Sequence, residues 1–223
     1  MLSLLRKPVI IVDGEQNKEE KIVFWGARQL LLSRMYLADQ CQTDRLRVKE
    51  GGKVKKELGK FAQKRGDDLV KEIVSYINPE GLIMDTDVFI SPKGALKNDE
   101  DIGDIDVLVI APKSKTLLSI ECKSMTPSRN IKEMIEEISK IFGSSESDKG
   151  WMSKHVRRHE WIEQNRKQIS EKYNVDISEF EIKSFFVTQE EMLTPHLKKQ
   201  SLPMPVISSY DVKEGGLNLL LKI

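Results

Sequence analysis

The chain has 223 residues, of which 39% are apolar and 32% charged, a balance that indicates an ordinary globular protein rather than a disordered one. Its 36 basic and 35 acidic residues give a net charge of +1, so overall charge gives no support to a nucleic-acid partner, which would need a local patch. Two cysteines and the absence of a signal sequence or a bilayer-length apolar run predict a cytoplasmic protein without a disulfide framework or membrane segment.

The N-terminal part is predicted to be a hairpin followed by a helix. Val9-Ile10-Ile11-Val12 and Ile22-Val23-Phe24-Trp25 are β-branched and aromatic runs, separated by polar residues that begin with Asp13-Gly14. Gly26 opens a helix with a broad leucine-rich face. We place a domain boundary at Gly51-Gly52, between an accessory region at 1–50 and the main domain at 51–223. A strand so close to the start also indicates a module of a larger protein.

The main domain is predicted to alternate helices and strands. Asn130 is a suitable N-cap and Gly143 a suitable end for one helix, and the polar segment 143–150 after it is expected to be mobile. The predicted helices are Lys53 to Ile77 (stopped by Pro79), Ile131 to Phe142 and Ser153 to Tyr173. The predicted strands are Leu82 to Ile90, Gly103 to Ile110, a run ending at Lys123, Glu181 to Thr188 and Pro205 to Ser208. This order predicts an α/β fold with a mixed central sheet flanked by helices.

Acidic residues interrupt the apolar strand that starts at Gly103. Because side chains on a strand alternate between its two faces, Asp104 and Asp106 are expected on one face and Ile105 and Val107 on the other. Burying such carboxylates without partners would cost several kcal/mol. Their place in a core strand therefore points to a function.

The next strand repeats this pattern. Glu121 and Lys123 are expected to share a face, while Ile120 and Cys122 turn into the core. Carboxylates that converge from two strands with a lysine beside them predict a divalent metal site, because Mg²⁺ prefers oxygen ligands. In that site Asp106 and Glu121 supply carboxylates, and Ile120 or Cys122 lends a backbone carbonyl. Lys123 orients the attacking water and neutralises charge in the transition state.

Asp106, Glu121 and Lys123 resemble the Asp…Glu-x-Lys signature of the PD-(D/E)xK, or restriction-endonuclease-like, nucleases, in particular their Mrr-like and NERD-like members. The resemblance covers roughly Lys53 to Ile207 and includes the element order α-β-β-β-α-α-β, although Ile105 replaces the proline of the signature. It implies an Mg²⁺- or Mn²⁺-dependent endodeoxyribonuclease in which Asp106 and Glu121 bind the metal, with the Cys122 carbonyl, and Lys123 is the catalytic lysine.

The same resemblance suggests further ligands and partners. Members often use an acidic residue on the first helix, for which Asp67, Asp68 and Glu72 compete and Glu72 is favoured; Asp104 is either a further ligand or a solvated strand start. DNA is the implied substrate, in bacterial restriction, repair or anti-phage defence. A homodimer, or association with other domains or subunits of a defence or repair complex, is the implied assembly.

A predicted helix offers a surface for nucleic acid. Its cations, aromatic and amides fall on one face: Lys154, Arg157, Arg158, Trp161, Asn165 and Gln168. These groups could grip phosphates while Trp161 stacks on an exposed base, or the helix could be an ordinary solvated one with Trp161 packed at its edge. His155 and His159 have the spacing of a zinc helix, but the sequence shows neither a glutamate between them nor a third ligand.

Three other interpretations of the charged strands stay open. The Asp…Glu-x-Lys set could be an internal salt bridge. The domain could be an inactive restriction-endonuclease-like module that binds DNA or a partner protein. A hydrolase of small phosphates is disfavoured, because no GxxxxGK[ST] loop occurs.

Overall fold

The computed structural model describes residues 9–13, 21–43, 45–77, 80–144, 150–197 and 202–223. The chain separates into two compact units, Met1–Gln63 and Lys64–Ile223. The boundary that we placed at Gly51-Gly52 stays a prediction. Three of the predicted segments fall partly outside the described residues: the hairpin turn at 14–20, the helix stop at Pro79 and the polar segment at 145–149.

The first unit contains the predicted hairpin and helix. Strands β1 (Val9–Asp13) and β2 (Lys21–Trp25) pair antiparallel, with Val9 opposite Trp25 and Asp13 opposite Lys21. Helix α1 spans Ala27–Gln42, directly after Gly26, whose extended backbone precedes the first turn. Helix α2, Lys53–Ile77, begins in this unit and continues into the second.

The second unit is built on a five-stranded sheet in the order β3-β4-β5-β6-β7. Strands β3, β4 and β5 are antiparallel, whereas β5, β6 and β7 are parallel. The strands are β3 (Ile83–Ile90), β4 (Gly103–Ala111), β5 (Thr116–Lys123), β6 (Glu181–Thr188) and β7 (Val206–Ser208). The helices after β5 are α3 (Ile131–Phe142), α4 (Gly150–Gln164), α5 (Arg166–Tyr173), α6 (Leu193–Leu197) and α7 (Ser209–Lys222). A mixed α/β fold with an N-terminal hairpin is thus confirmed.

Local signals set most helix ends correctly. Asn130 caps α3 by accepting the Glu133 backbone N–H, as predicted. The single helix predicted from Ser153 to Tyr173 is instead two helices, α4 and α5. Asn165 separates them, since its backbone leaves the helical region with φ −115° and ψ 28°.

Helices cover both faces of the sheet. One face carries a buried cluster in which Ile105, Leu108 and Leu117 of the strands meet Ile162 of α4 and Ile169 of α5. A second cluster on the other face brings strand residues against α2 and α7; it includes Val107, Leu118, Ile120, Cys122, Leu69, Ile73, Val212 and Leu220. Ile120 and Cys122 therefore lie in the core, as predicted.

The regular alternation of strand β4 breaks at Asp106. Ile105 belongs to the first cluster and Val107 to the second, so the prediction that they share a face is wrong. The alternation of β3 breaks at the same level of the sheet. Val88 belongs to the first cluster, whereas Met84, four residues earlier, packs against the second. Thr86 pairs with Val107 and Val88 pairs with Ile105, but the residues between these two pairs, Asp87 and Asp106, are not paired in the ladder.

The break coincides with an irregular backbone in β3. Asp87, which lies opposite Asp106 in this register, has a left-handed φ of +52°. That conformation is disfavoured for most residues, although Asp and Asn adopt it more readily than others. Asp87 is exposed on β3, which is an edge strand of the sheet, and residues held in sparsely populated backbone conformations cluster at functional sites.

Replacing Asp87 tests this strained position. We expect Asp87→Val to lower the free energy of unfolding by about 1–2 kcal/mol relative to Asp87→Asn, because only the β-branched residue resists the left-handed backbone. Urea denaturation of the two variants measures the difference. The Asn variant controls for the lost charge, so equal stabilities would contradict the strain.

Candidate active site

The site is built where strands β4 and β5 stop pairing. Their ladder ends at Val107 opposite Ile120, one residue short of Asp106 and Glu121. Beyond that point the Asp106 carboxylate accepts a hydrogen bond from the Cys122 backbone N–H, with Oδ2 2.6 Å from the nitrogen. The carboxylate thus occupies the place of a ladder partner, which fixes its position against β5.

Lys123 joins the two predicted carboxylates. Its Nζ lies 2.7 Å from Glu121 Oε1 and 3.5 Å from Asp106 Oδ2. The structure therefore brings Asp106, Glu121 and Lys123 together in one cluster. Trp151 lies beside it, with its ring centroid 6.0 Å from Lys123 Nζ.

Two residues of α4 reach the other side of Glu121. The Arg158 guanidinium is hydrogen-bonded to Glu121 Oε2, and His155 Nδ1 lies 3.9 Å from the same oxygen. Both residues are buried, with 4% and 0% of their surface exposed. Gly103 gives Arg158 room, because a Cβ atom there would lie 3.0 Å from Nη1.

The predicted nucleic-acid surface needs correction at this point. Arg158 is buried against Glu121, and Trp161 is 8% exposed with its Nε1–H donating to Asn98 Oδ1 at 3.0 Å. The Asn165 side chain donates to the Trp161 carbonyl at 2.8 Å. Arg158 points into the domain because it lies on the same face of α4 as the buried Ile162, one helical turn away.

Two cations of the predicted surface stay exposed. Lys154 and Arg157 lie on the outer side of α4, where Arg157 pairs with Glu100. A direct contact with DNA by these two residues stays a prediction. Of the second interpretation, a solvated helix with Trp161 packed at its edge, only the packing of Trp161 matches the structure, because His155, Arg158 and Ile162 of the same helix are also buried.

A group of carboxylates lies next to the cluster. One oxygen each of Asp87, Asp104 and Asp106 lies within 4.8 Å of the others, and no other group of three or more potential ligands forms among the described residues. Asp104, a candidate in the sequence, is thus placed beside Asp106. Asp87 was missed because regular alternation gives no sign of a left-handed residue. Glu72 is exposed on α2 and does not belong to this group.

Burial and neighbouring charges shift the acidity of the cluster. Burial, reinforced by the charge of Glu121, raises the pKa of Asp106 to about 6. Burial alone would also raise the pKa of Glu121, but Lys123 and Arg158 outweigh it and hold that pKa below its ordinary value. Both carboxylates are therefore mainly ionised at neutral pH.

The basic groups respond in opposite ways. Burial would lower the pKa of Lys123, but the charges of Glu121 and Asp106 outweigh it and raise that pKa. Burial lowers the pKa of His155 to about 4. At neutral pH Lys123 and Arg158 are therefore cations beside two carboxylates, and His155 is neutral.

These oxygens fit a hard divalent cation better than a soft one. Asp106 could hold it together with Asp104 and Asp87, whose oxygens already face one another. Glu121 could join as a ligand only by exchanging Arg158 or Lys123, which engage its two oxygens. The backbone carbonyl of Cys122 stays a predicted ligand.

Comparison with known proteins places the chain in a family. The model of a family described as "Anti-phage protein Upx-like" matches residues 1–196, so the chain belongs to the Upx-like anti-phage family. The predicted setting in antiviral defence agrees with this membership. No helix among the described residues is long and apolar enough to span a membrane.

Other comparisons add little. No curated protein matches significantly. The crystal structure of protein VC1899 from Vibrio cholerae aligns with a TM-score of 0.33 and 12% identity, over 99% of this chain and 48% of that one. The chain thus spans about half the length of that protein, and similarity at this level supports no inference.

Removing Arg158 tests the buried ion pair. We expect Arg158→Met to lower the free energy of unfolding by roughly 3 kcal/mol, because Glu121 loses a partner in a buried place. Arg157→Met is the matched control, since its pair with Glu100 is exposed and worth at most about 1 kcal/mol. Chemical denaturation compares them, and losses of equal size would contradict the difference in burial.

The raised pKa of Asp106 predicts a pH dependence of stability. Between about pH 4 and pH 6 the folded protein keeps a proton there that the unfolded chain releases, so this residue makes stability fall as pH rises through that window. We therefore expect Asp106→Asn, in EDTA, to raise the free energy of unfolding at pH 7.5 by on the order of 1 kcal/mol.

This gain should shrink as the pH falls through about 6. Denaturation curves of both proteins from pH 7.5 to pH 4.5 measure it. Asp67→Asn, at an exposed position of α2, is the control for the loss of one carboxylate. A gain that persists unchanged at the lowest pH would rule out the raised pKa.

Proposed function

We propose that this protein is a metal-dependent nuclease that hydrolyses DNA phosphodiester bonds in anti-phage defence. The observation that carries the proposal is the convergence of Asp106, Glu121 and Lys123 at the open end of two adjoining strands. Membership of an anti-phage family supports the biological setting. The resemblance of the three residues to the PD-(D/E)xK signature supports the reaction class.

The proposed division of labour follows from the donor atoms. Asp106 and Glu121 act as metal ligands, joined by the Cys122 carbonyl, Asp104 and, from the structure, Asp87. A Mg²⁺ or Mn²⁺ ion held there would withdraw charge from the scissile phosphate and lower the pKa of a bound water. Glu121 enters this set by giving up one of its two cationic partners.

The acidity of Lys123 restricts its role. Because the pKa of Lys123 is raised by two carboxylates, its ammonium group stays protonated at neutral pH and cannot accept a proton. We therefore assign Lys123 to charge neutralisation and to hydrogen bonding toward the attacking water or a phosphate oxygen. Arg158 is a positioning residue, since it acts through Glu121.

One observation favours a second candidate function. Both oxygens of Glu121 are engaged by Lys123 and Arg158, so the central charges of the cluster largely satisfy one another. A network of this kind also suits an inactive restriction-endonuclease-like module that binds DNA or a partner protein. The two functions differ in whether the cluster takes up a cation and cuts.

Cleavage of plasmid DNA separates them. We expect the wild type to cut in Mg²⁺ or Mn²⁺, and Asp106→Asn, Glu121→Gln and Lys123→Met each to lose at least about 100-fold in rate, because each removes a proposed ligand or charge. The changes Glu136→Gln and Lys132→Met, at exposed positions of α3, are matched controls that should keep full activity.

Metal binding provides the second readout. Mn²⁺ should raise the melting temperature of the wild type and not that of Asp106→Asn, because only a cation bound to the folded state stabilises it. Cleavage that is equal in the wild type and the site variants would sink the nuclease proposal. Stability unaffected by Mn²⁺, together with no cleavage, would favour the binding module.

A further inference from the structure

The first unit buries almost nothing of its own. Among its described residues only Gln40 and Leu58 are buried. Twenty large apolar side chains are exposed among the described residues of the whole chain, and thirteen of them lie in Met1–Gln63. A unit whose described residues form so little interior is too weak to hold its structure alone, so it needs a partner surface.

The hairpin is apolar on both faces. Val9 lies opposite Trp25 and Ile10 opposite Phe24, so one pair points to each face. All four are exposed, Phe24 by 54% and Trp25 by 62%. A solvated hairpin normally has a polar outer face, which the described part of this one lacks.

Helix α1 adds to this surface. The exposed apolar side chains of the hairpin and α1 are called the N-terminal apolar surface: Val9, Ile10, Ile11, Val23, Phe24, Trp25, Leu30, Leu31, Leu32, Met35 and Leu37. They are each 37–63% exposed. At about 200 Å² for a large side chain they present on the order of 1,000 Å².

The exposed apolar area can be compared with that of a typical monomer and with that of a dimer interface. The largest apolar patch of a typical monomer is about 300–600 Å². A stable dimer buries about 800 Å² on each partner. Summed over both faces of the hairpin and over α1, the N-terminal apolar surface therefore has about the area that one partner buries in a stable dimer.

The hairpin and the charges favour a second copy as the partner. The first sheet contains only β1 and β2, so each strand has an outer edge without a described strand partner, and an isolated hairpin is at best marginally stable. An edge strand pairs antiparallel with its own copy about a two-fold axis, which closes the assembly. The charged residues of β1, β2 and α1 are mixed in sign, Asp13, Lys21, Arg28, Arg34 and Asp39, so two copies would not repel each other.

We propose that the N-terminal apolar surface is the interface of a homodimer, formed by pairing of two hairpins and packing of α1. This proposal is independent of the nuclease function. The full chain should sediment at twice its 25.6 kDa mass at micromolar concentration. Its melting temperature should rise with protein concentration, because association stabilises the fold by mass action.

Charge substitutions locate the interface. Trp25→Glu and Met35→Glu should each weaken dimerisation by at least about 30-fold, since they bury a charge in an apolar contact. Ile131→Glu, at a 76% exposed position of α3, is the matched control and should leave the dimer intact. Dissociation by the control to the same extent would place the interface elsewhere.

A mixing experiment covers the case in which a variant folds poorly alone. Trp25→Glu and Trp25→Lys should each sediment as monomers, while their mixture should form a heterodimer through the opposite charges. A wild-type chain that stays monomeric at 100 μM (roughly a hundredfold above the tested range), with a melting temperature independent of concentration, would overturn the proposal.

Discussion

The buried charge cluster around Glu121 is the interaction on which the second unit depends. Its carboxylate lies between Lys123, on the same strand, and Arg158, on α4. Because a buried ionised carboxylate is tolerated only with partners, this contact connects α4 to the central strand β5 beside the apolar packing around Ile162. The same contact holds Glu121 near Asp106. The charged residues that join α4 to β5 are therefore also the residues that set the geometry of the candidate site.

The break in strand alternation has a related role. A regular strand would place Asp104 and Asp106 on one face, with Asp87 opposite Asp106 on the neighbouring strand. With the left-handed backbone at Asp87, apolar neighbours on β3 and β4 change faces at one level, and three carboxylates meet there. The core compensates for this irregularity on both sides, since Ile105 and Val107 are each fully buried in a different cluster. Strain and like charge are thus concentrated at one point of an otherwise regular sheet.

Sequence patterns predicted what depends on local periodicity. The strands, the helix that begins after Asn130 and the shared face of Glu121 and Lys123 all follow from alternation, capping and helical spacing. Arg158 was assigned to an exposed surface because charged residues are usually solvated. Its position on the stripe of His155 and Ile162 was the available signal of burial. The φ of Asp87 depends on tertiary contacts with β4, which no local pattern encodes.

The charges of the cluster also bear on how a site like this can be regulated. Glu121 can bind a cation only if Arg158 or Lys123 gives up one of its oxygens, whereas Asp106 is already mainly ionised at neutral pH. A displaced Arg158 would be a buried cation without its carboxylate, which is costly unless an anion takes its place. The phosphate of a substrate is such an anion. For the proposed nuclease we therefore expect substrate and metal to favour each other's binding, because the metal would pair with Glu121 and the phosphate with the Arg158 that Glu121 releases.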